Sequence, residues 1–376
     1  MIYFDHSSTT SVHPEVLDVY MKLLQTTYGN PDALHQVGRT AGQLMETARQ
    51  KIAALLCVQP EEIIFCGSAS EANTLAIVGY ALENRSRGQH ILLSNVEHPS
   101  VSNCKQVLEE LGFEVELLQI NEEGKVLPEE LEAKMRKETI LVSCMHVNNE
   151  VGAINPIQQL SSIVHQHPTC VFHVDCVQSF SKIPIDFSDL DLASISAHKI
   201  HGLKGSALLI KKKNVRLKPL IQGGQQEQGL RGGTQNAPVN IALAKTIRLA
   251  LDSMKDKQNK VTKINQWLRN EISQIEGSHI HSPQNALPNI LNIGFDAITS
   301  EVLLNALDAK GICVSAKSTC SSKDKNESSV LIAMGKSHQD ATHMIRLSFD
   351  ENNTMEEAKT FIHSLKEILK DYGLSL

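Results

Sequence analysis

The stretch "SISAHKIHG", Ser194 to Gly202, passes from apolar residues into Ser, His, Lys and His and then stops at glycine. The residues before it, "DLDLA", supply Leu190, Leu192 and Ala193, so the run reads as a buried strand with a polar cluster at its carboxyl end. In open α/β sheets ligands bind in the crevice outside those ends. Lys199 is therefore either a solvated loop lysine, as most lysines are, or an amine that burial and nearby cations make neutral enough to attack an aldehyde. Ser196 and His198 flank it and could both donate to a phosphate.

Three further strand ends carry polar groups. In "FCGSASEAN" a strand ends, Gly67 turns the chain and a helix begins near Ser70. Backbone N–H groups at a helix start, with the Ser68 and Ser70 hydroxyls, make an anion site; Ser70 could equally be a plain helix cap. In "VFHVDCVQS" Asp175 follows an apolar strand, and a carboxylate there needs a partner, because an unpaired buried charge is costly. A pyridinium N–H, an arginine or a helix N-terminus would serve, and Gln178, three residues on, could donate to a phenolate; Asp175 as the cap of a following helix is the plainer alternative. In "NVEHPS" His98 precedes a proline suited to a helix's first turn. It could stack on a planar cofactor, shuttle protons or simply pack. Together these groups describe an anion cradle, a ring-nitrogen carboxylate, a Schiff-base lysine and a stacking group, which is the requirement of pyridoxal 5'-phosphate.

The elements that must position them alternate along the chain. "EIIFCG", "HILLSN", "EVELLQI", "ETILVSCMHV", "CVFHVD" and "GSALLIKK" read as strands, while "AGQLMETARQKIAALL", "SEANTLAIVGYALE", "SVSNCKQVLEELG" and "IQQLSSIVHQH" carry helical periodicity. That alternation predicts an α/β fold: a large domain over residues 15–256 with a mostly parallel sheet flanked by helices. Residues 257–376, with "PNILNIGF", "HMIRLSF" and a long terminal helix, read as a smaller α+β domain, against which segment 1–14 packs. A cleft between the two domains is the natural site.

The 376 residues are 41% hydrophobic and 21% charged, with a net charge of -6. No basic stripe suggests nucleic acid, and aromatic residues, at 4%, are too few for base-stacking platforms. No apolar run reaches the length of a membrane span, and "MIYFDHSSTT" has no signal-peptide pattern, so a cytoplasmic location is expected. The eight cysteines form no C-x-x-C pair, and no metal site is expected. Cys320 stands apart from the others, in the polar run "SAKSTCSSKDKNESS".

The series "YFDHSSTT", "GSASEANTLAI", "VEHPSV", "HVNNEVGAINPI", "HVDCVQS", "SAHKIHGLKG", "GGQQEQGLRGGT", "STCSS" and "IRLSF" resembles, in order and over essentially the whole chain, the class V aminotransferase group of fold-type I pyridoxal phosphate enzymes. Within that group it is most similar to cysteine desulfurases of the nitrogen-fixation and iron–sulfur-cluster type. The resemblance implies that Lys199 binds the cofactor aldehyde, Asp175 pairs with the ring nitrogen, Gln178 touches the phenolate oxygen and His98 stacks on the ring. It implies Ala69, Ser70, Ser196 and His198 around the phosphate, and Thr234 reaching the phosphate of a partner subunit in a homodimer. Asn149 and Arg346 would bind the carboxylate of L-cysteine, and Cys320 would take the sulfur as a persulfide for an acceptor protein, leaving alanine. Lys317, three residues before Cys320, would lower its pKa.

The chain departs from that pattern at Leu203, Gln225, Gln228, Lys317 and Asp350, the last standing where glycine is frequent after "RLSF". None of these removes a chemical group from the mechanism. A related lyase acting on selenocysteine, and a non-catalytic sulfur-transfer scaffold, are the alternative readings; the joint presence of Lys199, Asp175, Arg346 and Cys320 speaks against the scaffold.

Overall fold

A computed structural model describes residues 1–252, 254–316 and 327–372. Twelve strands are found among them: β1 (Ile2–Tyr3), β2 (Ile63–Cys66), β3 (His90–Ser94), β4 (Glu114–Leu118), β5 (Thr139–Ser143), β6 (Val171–Asp175), β7 (Leu192–Ser196), β8 (Ala207–Lys211), β9 (Ser278–Ile280), β10 (Ile290–Phe295), β11 (Ile312–Cys313) and β12 (Met344–Ser348). Seven of them form the central sheet in the order β2-β8-β7-β6-β5-β3-β4. All neighbours run parallel except β8, which is antiparallel to both β2 and β7.

Pleat alternation divides the side chains of this sheet between two cores. Ile63, Phe65, Phe172, Val174, Ala193, Ile195, Leu208 and Ile210 meet the helices Gln36–Leu56, Ile157–Val164 and Ala237–Leu251 on one face. Ile64, Cys66, Ile91, Leu93, Leu141, Leu192 and Leu209 meet Leu75, Ala76 and Tyr80 on the other. Both faces of the sheet are covered, which is why its strands are near-continuous apolar runs.

The expected helix over "SEANTLAIVGYALE" is continuous but not uniform. It begins at Ala69, widens into a π-helical turn over Leu75–Gly79 and closes as α-helix over Tyr80–Asn84. Gly79 lies at the end of the wide turn, where an added Cβ would meet the Lys218 carbonyl at 2.9 Å.

A third core gathers β10, β12 and the helices Met254–Ile272, Ser300–Ala309 and Met355–Asp371 around Leu291, Ile293, Ile345, Leu347 and Phe361. Phe4 is wholly buried in it, and β1 pairs in parallel with β11. Residues just beyond β1 turn away from this core. Thr10 N donates to His198 O at 2.9 Å, and His13 N donates to His201 O at 2.9 Å. The first thirteen residues thus strap the smaller core to the loop after β7.

Candidate active site

The carboxyl ends of β2, β3, β5, β6 and β7 open on the same side of the sheet, because these strands are parallel to one another in direction, with β8 alone reversed. Lys199 follows β7 in a single 3₁₀ turn, Ala197–Lys199, and Asp175 is the last residue of the neighbouring β6.

The Lys199 amine donates to the Ser7 carbonyl at 2.5 Å and the Ser8 carbonyl at 2.6 Å. Gln178 Nε2 donates to the same Ser7 oxygen at 3.0 Å, and its Oε1 accepts from Lys182 Nζ at 3.3 Å. Lys182 is half-buried, and desolvation brings its ammonium down to about 8. The N-terminal strap therefore lies across the mouth of β6 and β7.

Asp175 is buried and accepts from Val177 N at 2.9 Å and from Asn73 Nδ2 at 2.8 Å. A carboxylate holds about four acceptor positions, so these two bonds leave capacity for a cationic N–H from the crevice. No helix begins at Asp175, which removes the cap reading of that residue. His98 caps the four-residue helix Pro99–Ser102 and lies 2.9 Å by Nδ1 from Ser100 Oγ. Burial lowers its pKa; Asp175 opposes that shift and Lys199 reinforces it, so both charges are within reach of the ring. A neutral imidazole is suited to lying against a planar ring.

Around the anion cradle the helix starts at Ala69, and its cap is Ser68, whose Oγ accepts from Glu71 N at 3.1 Å. Ser70 is exposed in the first turn and is not the cap. Ser196 is buried at the end of β7. His198 Nδ1 lies 3.2 Å from Thr9 Oγ1, and burial, with Lys199 and Lys204, lowers its pKa to about 4. His198 would therefore meet an anion as a neutral hydrogen-bond donor. Thr234 is exposed, three residues past Arg231, which pairs with Glu71 of the cradle helix at 2.5 Å. No hydrogen bond joins Thr234 to the Lys199 cluster among the described residues.

Arg346, on β12, is among the largest fully buried side chains. It donates by Nη1 to Asn149 O at 2.8 Å and by Nη2 to Ser8 Oγ at 2.9 Å and Asp5 Oδ1 at 3.0 Å. Its Nε is buried without a partner among the described residues, a donor that a bound carboxylate could take up. Cys320 and Lys317 lie outside the described residues.

Sequence reasoning missed Asn73, Asp5, Ser7 and Ser8 as parts of the site. "YFDHSSTT" was legible as a motif, but nothing local indicates that its backbone carbonyls reach a lysine 191 and 192 residues away. The groups present suit a phosphorylated aldehyde with a basic ring nitrogen: an amine, a carboxylate with spare acceptor capacity, a neutral ring and a helix start.

Residues 2–361 match the family model described as Aminotransferase class-V. The chain is 42% identical, over 99% of its length and 98% of the relative's, to a NifS/IcsS protein homolog of Lactobacillus delbrueckii subsp. bulgaricus. It is 37% identical to a cysteine desulfurase IscS of Dictyoglomus turgidum, over 98% of this chain and 94% of that one. A solved NifS-like protein superposes with a TM-score of 0.92 at 36% identity, covering 98% of this chain and 99% of that one. With the lysine, the carboxylate and the helix start at strand ends on one side of the sheet and a family match spanning nearly all of its length, the chain belongs to the aminotransferase class-V family.

Proposed function

We infer that this chain is a pyridoxal-phosphate-dependent cysteine desulfurase, which converts L-cysteine to L-alanine and captures the sulfur as a persulfide. The observation that carries the reading is Lys199 at the end of β7 beside Asp175 at the end of β6, with buried Arg346 reaching the same N-terminal strap. When bound, pyridoxal phosphate supplies an aldehyde for amines and a ring that draws electrons from the substrate's Cα.

The protein's own groups have distinct tasks. Lys199 Nζ is the amine for covalent attachment and, when not so engaged, for moving the proton at the substrate Cα. Asp175 keeps the ring nitrogen protonated, and Asn73 keeps Asp175 oriented. His98 covers the ring, and Gln178 Nε2 is the donor for the phenolate oxygen. Ala69, Ser70, Ser196 and His198 surround the phosphate. Asn149 and the Arg346 fork hold the substrate carboxylate. The Cys320 thiolate attacks the substrate sulfur; the Cβ–S bond breaks, the carbon fragment leaves as alanine, and Cys320 retains the second sulfur.

A homodimer is part of the reading. Leu17, Met21 and Leu24 form an exposed apolar stripe on the helix Pro14–Thr26, and Tyr28 and Leu34, 76% and 87% exposed, extend it. Burying such a patch against a second copy is favourable. Exposed Thr234 would then contact the partner's phosphate site. Gly223 and Gly232, in the preceding loop, meet backbone to backbone: a Cβ on Gly223 would fall 2.9 Å from the Gly232 Cα. The acceptor is a protein that takes sulfur from a persulfide. A cytoplasmic location is proposed with it, in keeping with the free thiols among the described cysteines.

Incubation of holoenzyme with L-cysteine tests the reading. Alanine release with a persulfide trapped on Cys320 is expected, and Cys320→Ala should abolish both while the cofactor absorbance remains. Undiminished persulfide in Cys320→Ala, or a borohydride-fixed cofactor adduct in Lys199→Ala, would overturn it.

A further inference from the structure

Asp350, the residue that stands where glycine is frequent in this family, is buried just past β12. Its Oδ2 lies 2.8 Å from His6 Nδ1 and 3.0 Å from His201 Nε2. His6 immediately precedes Ser7, whose carbonyl accepts from Lys199, and His201 is two residues beyond Lys199. The carboxylate therefore holds both chain segments between which the lysine amine is suspended.

Each segment is fixed in further ways. His201 has a left-handed backbone, φ 61°, which a non-glycine residue keeps only when its surroundings over-determine it. Here His201 N donates to Thr10 Oγ1 at 2.8 Å, and its Nδ1 faces Ser11 O at 2.9 Å, so Nε2 is left pointing at Asp350. Ser7 N donates to Ser348 Oγ at 2.8 Å. Asp350 is oriented by Asn352 N, which donates to its Oδ1 at 2.8 Å, and by the bond from its own N–H to Asn353 Oδ1 at 3.0 Å. Arg346 lies four residues earlier, on β12, so the proposed carboxylate-binding fork and the clamp are joined by a short length of chain.

We propose that Asp350 is a positioning residue for Lys199: through His6 and His201 it fixes the N-terminal strap against the lysine loop and sets the direction of the Lys199 amine. This rests on the reading of Lys199 as the cofactor-binding amine. Two imidazoles and a carboxylate could also gather a divalent cation, but the 30 Å³ cavity they line is also lined by Lys182 and Lys257, and Lys257 Nζ is 3.3 Å from Glu351 Oε1. Two ammonium groups at the same cavity favour an ion-pair clamp.

The clamp has a defined pH dependence. The groups facing it are His6 from the strap, His201 and Lys199 from the loop after β7, Lys182 from the turn after β6, Lys257 from the helix Met254–Ile272, and Glu351 beside Asp350. Burial lowers the pKa of His201, but the Asp350 hydrogen bond, with the Asp350 and Glu351 charges, outweighs it and leaves the pKa raised. Burial pushes Asp350 up, but His201 and His6 hold it well below the carboxylate range. With Nδ1–H given to Ser11, a neutral His201 would turn a lone pair toward Asp350. The clamp is thus complete below the ordinary imidazole range and is released as pH rises through the raised His201 value.

The test compares wild-type holoenzyme with Asp350→Asn, Asp350→Gly and Asp350→Glu. Steady-state rates with L-cysteine across pH are read together with the His201 ring resonance in ¹³C-histidine-labelled protein, which His201→Asn identifies. Asp350→Asn and Asp350→Gly should retain cofactor and hold KM within about twofold, while kcat falls about ten- to a hundredfold. Their alkaline activity loss should move to lower pH with the His201 titration, and Asp350→Glu should recover part of kcat. Wild-type kcat and an unmoved alkaline limb in Asp350→Asn would overturn the proposal, as would stoichiometric zinc in the purified holoenzyme. If wild-type protein turns over no cysteine, the functional reading fails separately. The clamp is then decided by the resonance alone, and a His201 titration unchanged in Asp350→Asn would overturn it.

Discussion

Asn73 Nδ2 donates to Asp175 Oδ2 at 2.8 Å, joining the end of β6 to the cradle helix across 102 residues of sequence. The same amide donates to Ser100 Oγ at 2.9 Å, which in turn meets His98 Nδ1 at 2.9 Å. One asparagine thus orients both the carboxylate and the ring that flank the proposed cofactor position. A hydrogen bond to a charged group contributes about 1.5–3 kcal/mol, so Asn73→Ala should lower kcat/KM by about ten- to a hundredfold. Asn73→Asp should do worse, because a like charge beside Asp175 disfavours its ionised form. Steady-state alanine release and the cofactor dissociation rate, followed by absorbance, check both.

Arg346 is 1% exposed, and its Nη2 is shared with Asp5 and Ser8. Arg346→Lys keeps a charge but loses the planar fork. The expected result is a KM for cysteine raised about tenfold or more with a smaller change in kcat, measured by initial rates. Arg346→Ala should also lower stability, because Asp5 loses its guanidinium partner.

Glu97 is buried beside His98, and burial pushes its carboxyl up to about 8 despite bonds from Ser94 Oγ and Met145 N. Its Oε2 has no partner among the described residues. For an acid with a raised folded-state pKa, the unfolded chain ionises first, so stability falls as pH climbs from about 4 toward 8. Glu97→Gln removes that slope. Relative to wild type it should gain stability progressively over this range, on the order of a few kcal/mol at pH 8 and nothing near pH 4. Chemical denaturation at several pH values reads this directly.

Glu227 is buried with a left-handed backbone, φ 47°. It accepts from Arg49 Nη1 and Nη2, both at 3.0 Å, from Phe65 N at 2.9 Å and from Gln235 Nε2 at 2.6 Å. It thereby ties β2, just before the cradle, to the loop that carries Thr234. Glu227→Ala leaves Arg49 with the exposed Glu46 as its remaining carboxylate partner and takes the acceptor from Phe65 N, and should cost about 1–3 kcal/mol in unfolding free energy. Cofactor affinity should weaken as well, which equilibrium dialysis would measure.

The strand ends were legible because they are local. Five-residue strands that end in Asp175 or Ser196, or lead into the "EHP" turn, need no tertiary information to be read as strands with polar termini. The helix start near Ser70 was legible to within two residues, but its cap is Ser68, since Ser68 and Ser70, two residues apart, offer equivalent hydroxyls. The π-helical turn over Leu75–Gly79 has no sequence signature; at its end Gly79 O accepts from Lys218 N at 2.9 Å, a contact between residues remote in the chain. Asp350 was visible only as a departure from a family habit; that its carboxylate faces two imidazoles 344 and 149 residues away follows from three segments meeting in space.

The sequence by itself determined the class of fold, the succession of strands and helices along the chain and the identity of the groups able to do chemistry, because apolar periodicity and polar punctuation act over a few residues. Tertiary structure alone decided what those groups touch. The N-terminal strap over Lys199, the Asn73 bond to Asp175 and the burial and neighbouring charges that shift the pKa values of His98, Glu97 and His201 all arise from contacts between residues remote in the chain. Such contacts form only when the cores close and water is excluded from around the polar groups.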